Sequence, residues 1–177
     1  CLDAEAGHYA SAGGMFQTEC SAGTYQASTG QGSCNDADAG YYVESAAATS
    51  QTACLAGTYN PNTASTSSSD CTDADAGYYT SSAGSASQTA CAAGTYQPNT
   101  GQTSCIDASA GYYVDTTAAT SQTACDPGTY QPDEGQDACE DADPGYYVPT
   151  AAATEQTPAS PGYYVDTTAA TSQTACS

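Results

Sequence analysis

One tripeptide decides what this chain can become. Gly-x-Tyr, with His, Thr or Tyr in the middle, occurs ten times. Its glycines are Gly7, Gly23, Gly40, Gly57, Gly77, Gly94, Gly111, Gly128, Gly145 and Gly162. The steps between them are 16, 17, 17, 20, 17, 17, 17, 17 and 17 residues. The long step carries an insertion in the Ser-rich stretch 66–69. A period this short means that one repeat cannot bury an apolar face alone and must lean on its neighbours. Residues 1–177 therefore read as a single array of ten units with no other domain inside it.

The units come in two kinds. In type A a cysteine stands three residues before the glycine: Cys20, Cys54, Cys91 and Cys125. In type B it stands six before: Cys1, Cys34, Cys71, Cys105 and Cys139. A and B alternate as far as Gly145. A second B unit follows at Gly162 and lacks the cysteine. Residues 162–176 are identical to 111–125, the mark of duplication or deletion within an array. Cys1 opens and Cys176-Ser177 closes the chain in mid-repeat, so the sequence reads as an excerpt of a longer array.

Large aliphatics are almost absent, and a net charge of −20 accompanies them. That balance ordinarily leaves a chain disordered. Order must come from the 10 cysteines and 15 tyrosines, and disulfides are the usual supplement to a small core. The chain has no Lys or Arg. It cannot neutralise phosphates, which excludes nucleic acid as a partner. It offers no basic patch to an anionic membrane. No apolar run approaches the ~18 residues a membrane-spanning helix needs, so direct membrane insertion is not expected.

Only nearest-neighbour pairing of cysteines respects the repeat. Joining A to the following B closes steps of 14 or 17 residues. Joining B to the following A leaves no cysteine over, but makes Cys139 skip a unit to reach Cys176. Near Gly162 an A unit and a B cysteine are missing together, which favours A to B: Cys20–Cys34, Cys54–Cys71, Cys91–Cys105 and Cys125–Cys139. Cys1 and Cys176 would then find partners outside this chain.

The Tyr two residues after each Gly is the cheapest available core, packing on the next unit with its hydroxyl towards water. A sugar-stacking ladder is the functional alternative for the same row. The additional tyrosines Tyr41, Tyr78, Tyr112, Tyr146 and Tyr163 are expected exposed or at contacts. Gly-Tyr-Tyr-Val and Gly-Thr-Tyr-Gln read as short strands. The stretches 98–101 and 132–135, each opening on Pro and closing on Gly, read as turns. The Ala-rich stretch 45–53 is too short for a stable helix. The expected fold is all-β and irregular: an elongated, disulfide-stapled rod of short β-ribbons.

Cys-x-Ala-Gly-Thr-Tyr-Gln, followed by a second cysteine 14 residues after the first, resembles the ephrin-receptor-like cysteine-rich repeats. It is also similar to the first module of tumour-necrosis-factor-receptor domains. The A units at Cys20, Cys91 and Cys125 carry the resemblance best. It implies an extended, disulfide-rich ectodomain and supports A-to-B pairing. The Asp-Ala-rich B loops depart from it, so receptor-type ligand binding is not carried over. Large microbial surface proteins carry such arrays as well.

Candidate chemistry is sparse. His8 is the single histidine and stands where other B units have Tyr, a tolerated surface substitution. Cysteines at these spacings serve disulfides and not zinc. No nucleophile–base pair recurs, so neither catalysis nor a cofactor is expected. The pairs Asp36/Asp38, Asp73/Asp75 and Asp141/Asp143 resemble the opening of a calcium loop but lack its later ligands. They read as solvated turn residues that keep an array soluble. Thr116, Thr117, Thr167 and Thr168 are candidates for O-linked sugar, and no Asn-x-Ser/Thr sequon is present. The functional expectation is an extracellular or cell-surface filament, stalk or coat, partnered by copies of itself, flanking repeats or glycans. A receptor-like or adhesive module is the alternative.

Overall fold

In a computed structural model residues 3–12 and 14–177 are described. Ten two-stranded antiparallel ribbons follow one another, each strand only two residues long. The first strand of every ribbon is the pair after the repeat's glycine, such as Tyr41–Tyr42 or Thr95–Tyr96. The second strand is the pair just before the next repeat's turn, such as Thr52–Ala53 or Ile106–Asp107. Registers repeat accordingly: Tyr41 faces Ala53, and Thr95 faces Asp107. The first strand was legible from its Tyr and Thr. The second was not, because Ala, Asp, Asn or Glu fills at least half of most of these pairs, and those residues carry little strand preference. The Ser-rich insertion forms a short 3₁₀ turn, Ser68–Asp70, with a reciprocal cap between Ser67 and Asp70.

The chain divides into two compact units. One comprises residues 1–75, 79–89 and 100–104; the other comprises 76–78, 90–99 and 105–177.

Inside the first unit, each repeat's glycine donates its N–H to the carbonyl three residues past the next glycine. Gly7 reaches Gln26 at 2.7 Å, Gly23 reaches Val43 at 2.8 Å and Gly40 reaches Asn60 at 2.7 Å. The second unit repeats the scheme: Gly94 donates to Val114 at 2.7 Å, and Gly128 to Val148 at 2.8 Å. The residue three past each glycine donates onward in turn, as from Gln26 to Ala48 at 3.0 Å and from Val114 to Gln136 at 3.1 Å. Backbone groups of one repeat are thus satisfied by the next, as burial requires.

The core consists of two rows of side chains. The first row stands three residues before each glycine. Ala4, Cys20, Ala37, Cys54, Ala74, Cys91, Ala108, Cys125 and Ala142 occupy it, all at most 1 % exposed. Only small residues fit there, and B repeats use Ala where A repeats use a half-cystine. The second row stands three after each glycine. A repeats place a buried amide in it (Gln26, Asn60, Gln97, Gln131), and B repeats place Val43, Thr80, Val114 and Val148.

The amides are satisfied locally. Gln26 donates to the Ser33 carbonyl at 2.9 Å and accepts from the Ser28 N–H at 3.1 Å. Gln131 makes the equivalent pair with Ala138 and Asp133. Asn60 donates to Ser65 Oγ at 2.8 Å.

The tyrosines expected to form the core lie beside these rows. From Tyr9 to Tyr147 those two past the glycine are half-buried, and Tyr164 is exposed. Of the additional tyrosines, Tyr41, Tyr78 and Tyr112 are half-buried, while Tyr146 and Tyr163 are exposed. A phenol is too large for the inner row, so it lies beside it, half in contact with the ribbon and half in solvent.

Thr80 interrupts the valine series. Its Oγ1 is buried with no hydrogen-bond partner. A buried hydroxyl left unpaired costs about 1–3 kcal/mol. Thr80→Val, the residue that its equivalents Val43, Val114 and Val148 already show, is expected to stabilise the chain by about 1 kcal/mol. Denaturant unfolding of the oxidised protein checks this, and a loss of stability would mean that the hydroxyl is paired.

Candidate functional site

The recurring chemistry of this molecule is the closure of its hairpins. Every hairpin is tied at the residue just before its second strand. In A repeats that residue is a cysteine, and the bond runs back to the inner core row. The disulfides are Cys20–Cys34, Cys54–Cys71, Cys91–Cys105 and Cys125–Cys139, with Cα separations of 5.7 to 5.8 Å. The inner cysteine of each pair is buried at the position that B repeats fill with Ala. Among the described residues Cys176 is exposed and has no disulfide partner, and Cys1 lies outside them.

In B repeats the same place is held by glutamine. Gln51 accepts from the Asp38 N–H at 2.7 Å and donates to Asp38 Oδ2 at 2.7 Å. Gln88 with Asp75 and Gln156 with Asp143 repeat both bonds. At Gly111 and Gly162 the aspartate is replaced by Ser109 or Ser160. Gln122 accepts from the Ser109 N–H at 2.7 Å, and Gln173 accepts from the Ser160 N–H at 2.7 Å. Sequence reasoning missed this clamp. Its signal is the recurrent Gln-Thr that precedes the next cysteine or proline, at Gln51, Gln88, Gln122, Gln156 and Gln173.

The clamp reassigns the paired aspartates. Asp38, Asp75 and Asp143 each spend an oxygen on a glutamine amide. Asp36, Asp73 and Asp141 lie on exposed strands. Among the described residues no group of three or more His, Cys, Asp or Glu is arranged to hold a metal ion. Thr116, Thr117, Thr167 and Thr168 are exposed in their loops. His8 Nε2 stands 4.0 Å from Glu19, a partner across its own ribbon. Partial burial, a hydrogen bond with Glu140 and the charges of Glu140 and Asp143 push the Tyr130 hydroxyl above the ordinary tyrosine range.

The glycines form the second recurring feature. Each supports a positive φ, +83° at Gly111 for example. From Gly7 to Gly128 each also lies under a turn of the repeat after next. A Cβ on Gly111 would overlap the Ala152 carbonyl, and one on Gly23 would overlap that of Ala64. The overlying turn residue is itself left-handed: Gly84, Gly101 and Gly135, or Ala47, Ala64, Ala118, Ala152 and Ala169. A repeat therefore touches its neighbour through hydrogen bonds and its second neighbour through bare backbone.

Residues 77–125 match the family model described as tyrosine-protein kinase ephrin type A/B receptor-like. No curated protein matches the chain. The matched stretch runs from the Gly77 turn through the Cys91–Cys105 staple to Cys125. The chain thus contains a disulfide-stapled module similar to the cysteine-rich, non-catalytic repeats of ephrin receptors. Such a module and its disulfides point to an extracellular setting. Among the described residues no helix is long and apolar enough to cross a membrane.

Proposed function

We propose that the protein is a structural, non-catalytic element of an extracellular or cell-surface filament, stalk or coat, built as one array of ten repeats. The observation that carries this reading is the docking scheme. From Gly7 to Gly145 each repeat's glycine N–H meets the next repeat, and from Gly7 to Gly128 each glycine Cα lies under a turn of the repeat after next. The contacts are backbone to backbone and identical in kind from repeat to repeat. A surface of that sort recognises further repeats in place of a soluble ligand. Its partners are flanking repeats or copies of the same chain.

Two further features support the reading. The repeats differ by insertion, duplication and small swaps, which suits a spacer. The charge of −20 without any cation disfavours lateral sticking of neighbouring arrays. O-linked sugar on Thr116, Thr117, Thr167 and Thr168 would extend that polar coat.

The family match favours a second reading, a receptor-like or adhesive module. Electron microscopy of the native material separates the two. Long thin filaments or stalks that reductant weakens are the expected result. A compact, monodisperse particle with a specific soluble ligand would favour the receptor-like module.

A further inference from the structure

We propose that the array is a series of alternating locked and yielding hairpins, and that tension along the chain is taken up by the B repeats. The inference rests on the structural role above for its biological meaning, and on the two kinds of hairpin closure for its physics.

The closures occupy one place in the hairpin. In an A repeat the residue before the second strand is covalently tied to the inner row, as in Cys20–Cys34 and Cys125–Cys139. The 14-residue step between those cysteines cannot lengthen while the bond stands. In a B repeat the residue before the second strand is a glutamine held by exposed hydrogen bonds, as in Gln51 with Asp38. Water replaces such bonds at little net cost once the strands begin to part. Two-residue strands add almost nothing to either closure, since a lone ribbon is marginal in water. The alternation therefore fixes which segments yield. From Cys34 to Cys54 and from Cys105 to Cys125 the chain is free to extend by 20 residues. Between the cysteines of each A hairpin it is not.

The clamps also differ among themselves. Gln51 and Gln156 hold an aspartate by its N–H and its carboxylate. Gln122 holds only the N–H of Ser109. The Gly111 repeat is accordingly expected to yield at lower force than the Gly40 repeat.

Single-molecule pulling of the full oxidised chain between its ends tests the device. The expected record contains steps approaching but below ~70 Å, the length of 20 extended residues at ~3.5 Å each less the span they already cover when folded, and lacks the length inside the disulfides. Adding a dithiol passes two electrons and two protons to each disulfide, leaving two thiols and a cyclic disulfide of the reagent. Each 14-residue loop should then contribute roughly 43 Å more, its extended length less the 5.7 to 5.8 Å its ends already span. Gln51→Ala should lower the force of one step without changing its length.

An oxidised record with no step of B length before detachment would overturn the proposal. So would a yield force that Gln51→Ala leaves unchanged. A chain that gives these steps yet forms no filament in the microscope keeps the device and removes the structural role.

Discussion

Gly111→Ala should cost this chain about 3 kcal/mol or more, whereas Gly162→Ala should cost about 1–2 kcal/mol. The two glycines are equivalent in the repeat and nearly so in conformation, with φ of +83° and +87°. A left-handed backbone alone penalises any side chain by roughly 1–2 kcal/mol. At Gly162 that is the whole cost, because nothing lies within 4 Å of where a Cβ would stand. At Gly111 the Cβ would overlap the carbonyl of Ala152, which is backbone and cannot rotate away. The repeat after next must lift off, and hydrogen bonds such as Ala152 N–H to the Cys125 carbonyl at 2.9 Å go with it. Denaturant unfolding of both variants makes the comparison. Equal losses would show that contact with the second neighbour contributes nothing.

Removal of one staple is the second large effect. Cys91→Ala with Cys105→Ala should destabilise by about 3 kcal/mol, the value expected for releasing a loop of this size in the unfolded chain. The buried site should not collapse further, because Ala at position 91 is what Ala74 and Ala108 already are at theirs. Converting the A hairpin into a B hairpin should recover part of the loss. In the triple variant Cys91→Ala, Ala92→Asp, Cys105→Gln, a glutamine faces an aspartate as Gln88 faces Asp75. A gain of about 1 kcal/mol over the double variant is expected. Thermal unfolding under non-reducing conditions reads all three proteins. A triple variant no better than the double would show that the clamp depends on more than those two side chains.

The period, the ribbons and the all-β character were legible because Gly-x-Tyr marks both the left-handed turn and the strand that leaves it. What lay hidden was carried by residues without an obvious signature. Ala and Cys three before each glycine form the inner row, yet Ala37 or Ala108 looks like ordinary spacer in an Ala-rich chain. Conversely, Tyr113 looks like a core residue, but a phenol exceeds the space between backbones this close and stays half-buried. Buried Gln26 and Gln131 contradict the usual polarity rule and are tolerated because each closes its own loop. The Gln–Asp clamp joins residues 13 apart, a pairing visible only once the hairpin brings them together. The left-handed alanines, Ala47 and Ala152 among them, carry no warning at all, since Ala rarely adopts that conformation.

The central claim is that these repeats are built to dock on more of themselves and serve a structural role outside the cell. Imaging the native material by electron microscopy, with and without a disulfide reductant, tests it most directly. The account predicts thin, continuous filaments or stalks of even width, which break or lengthen when the staples are reduced. Compact particles of uniform size, unchanged by reductant and holding a soluble ligand, would contradict it.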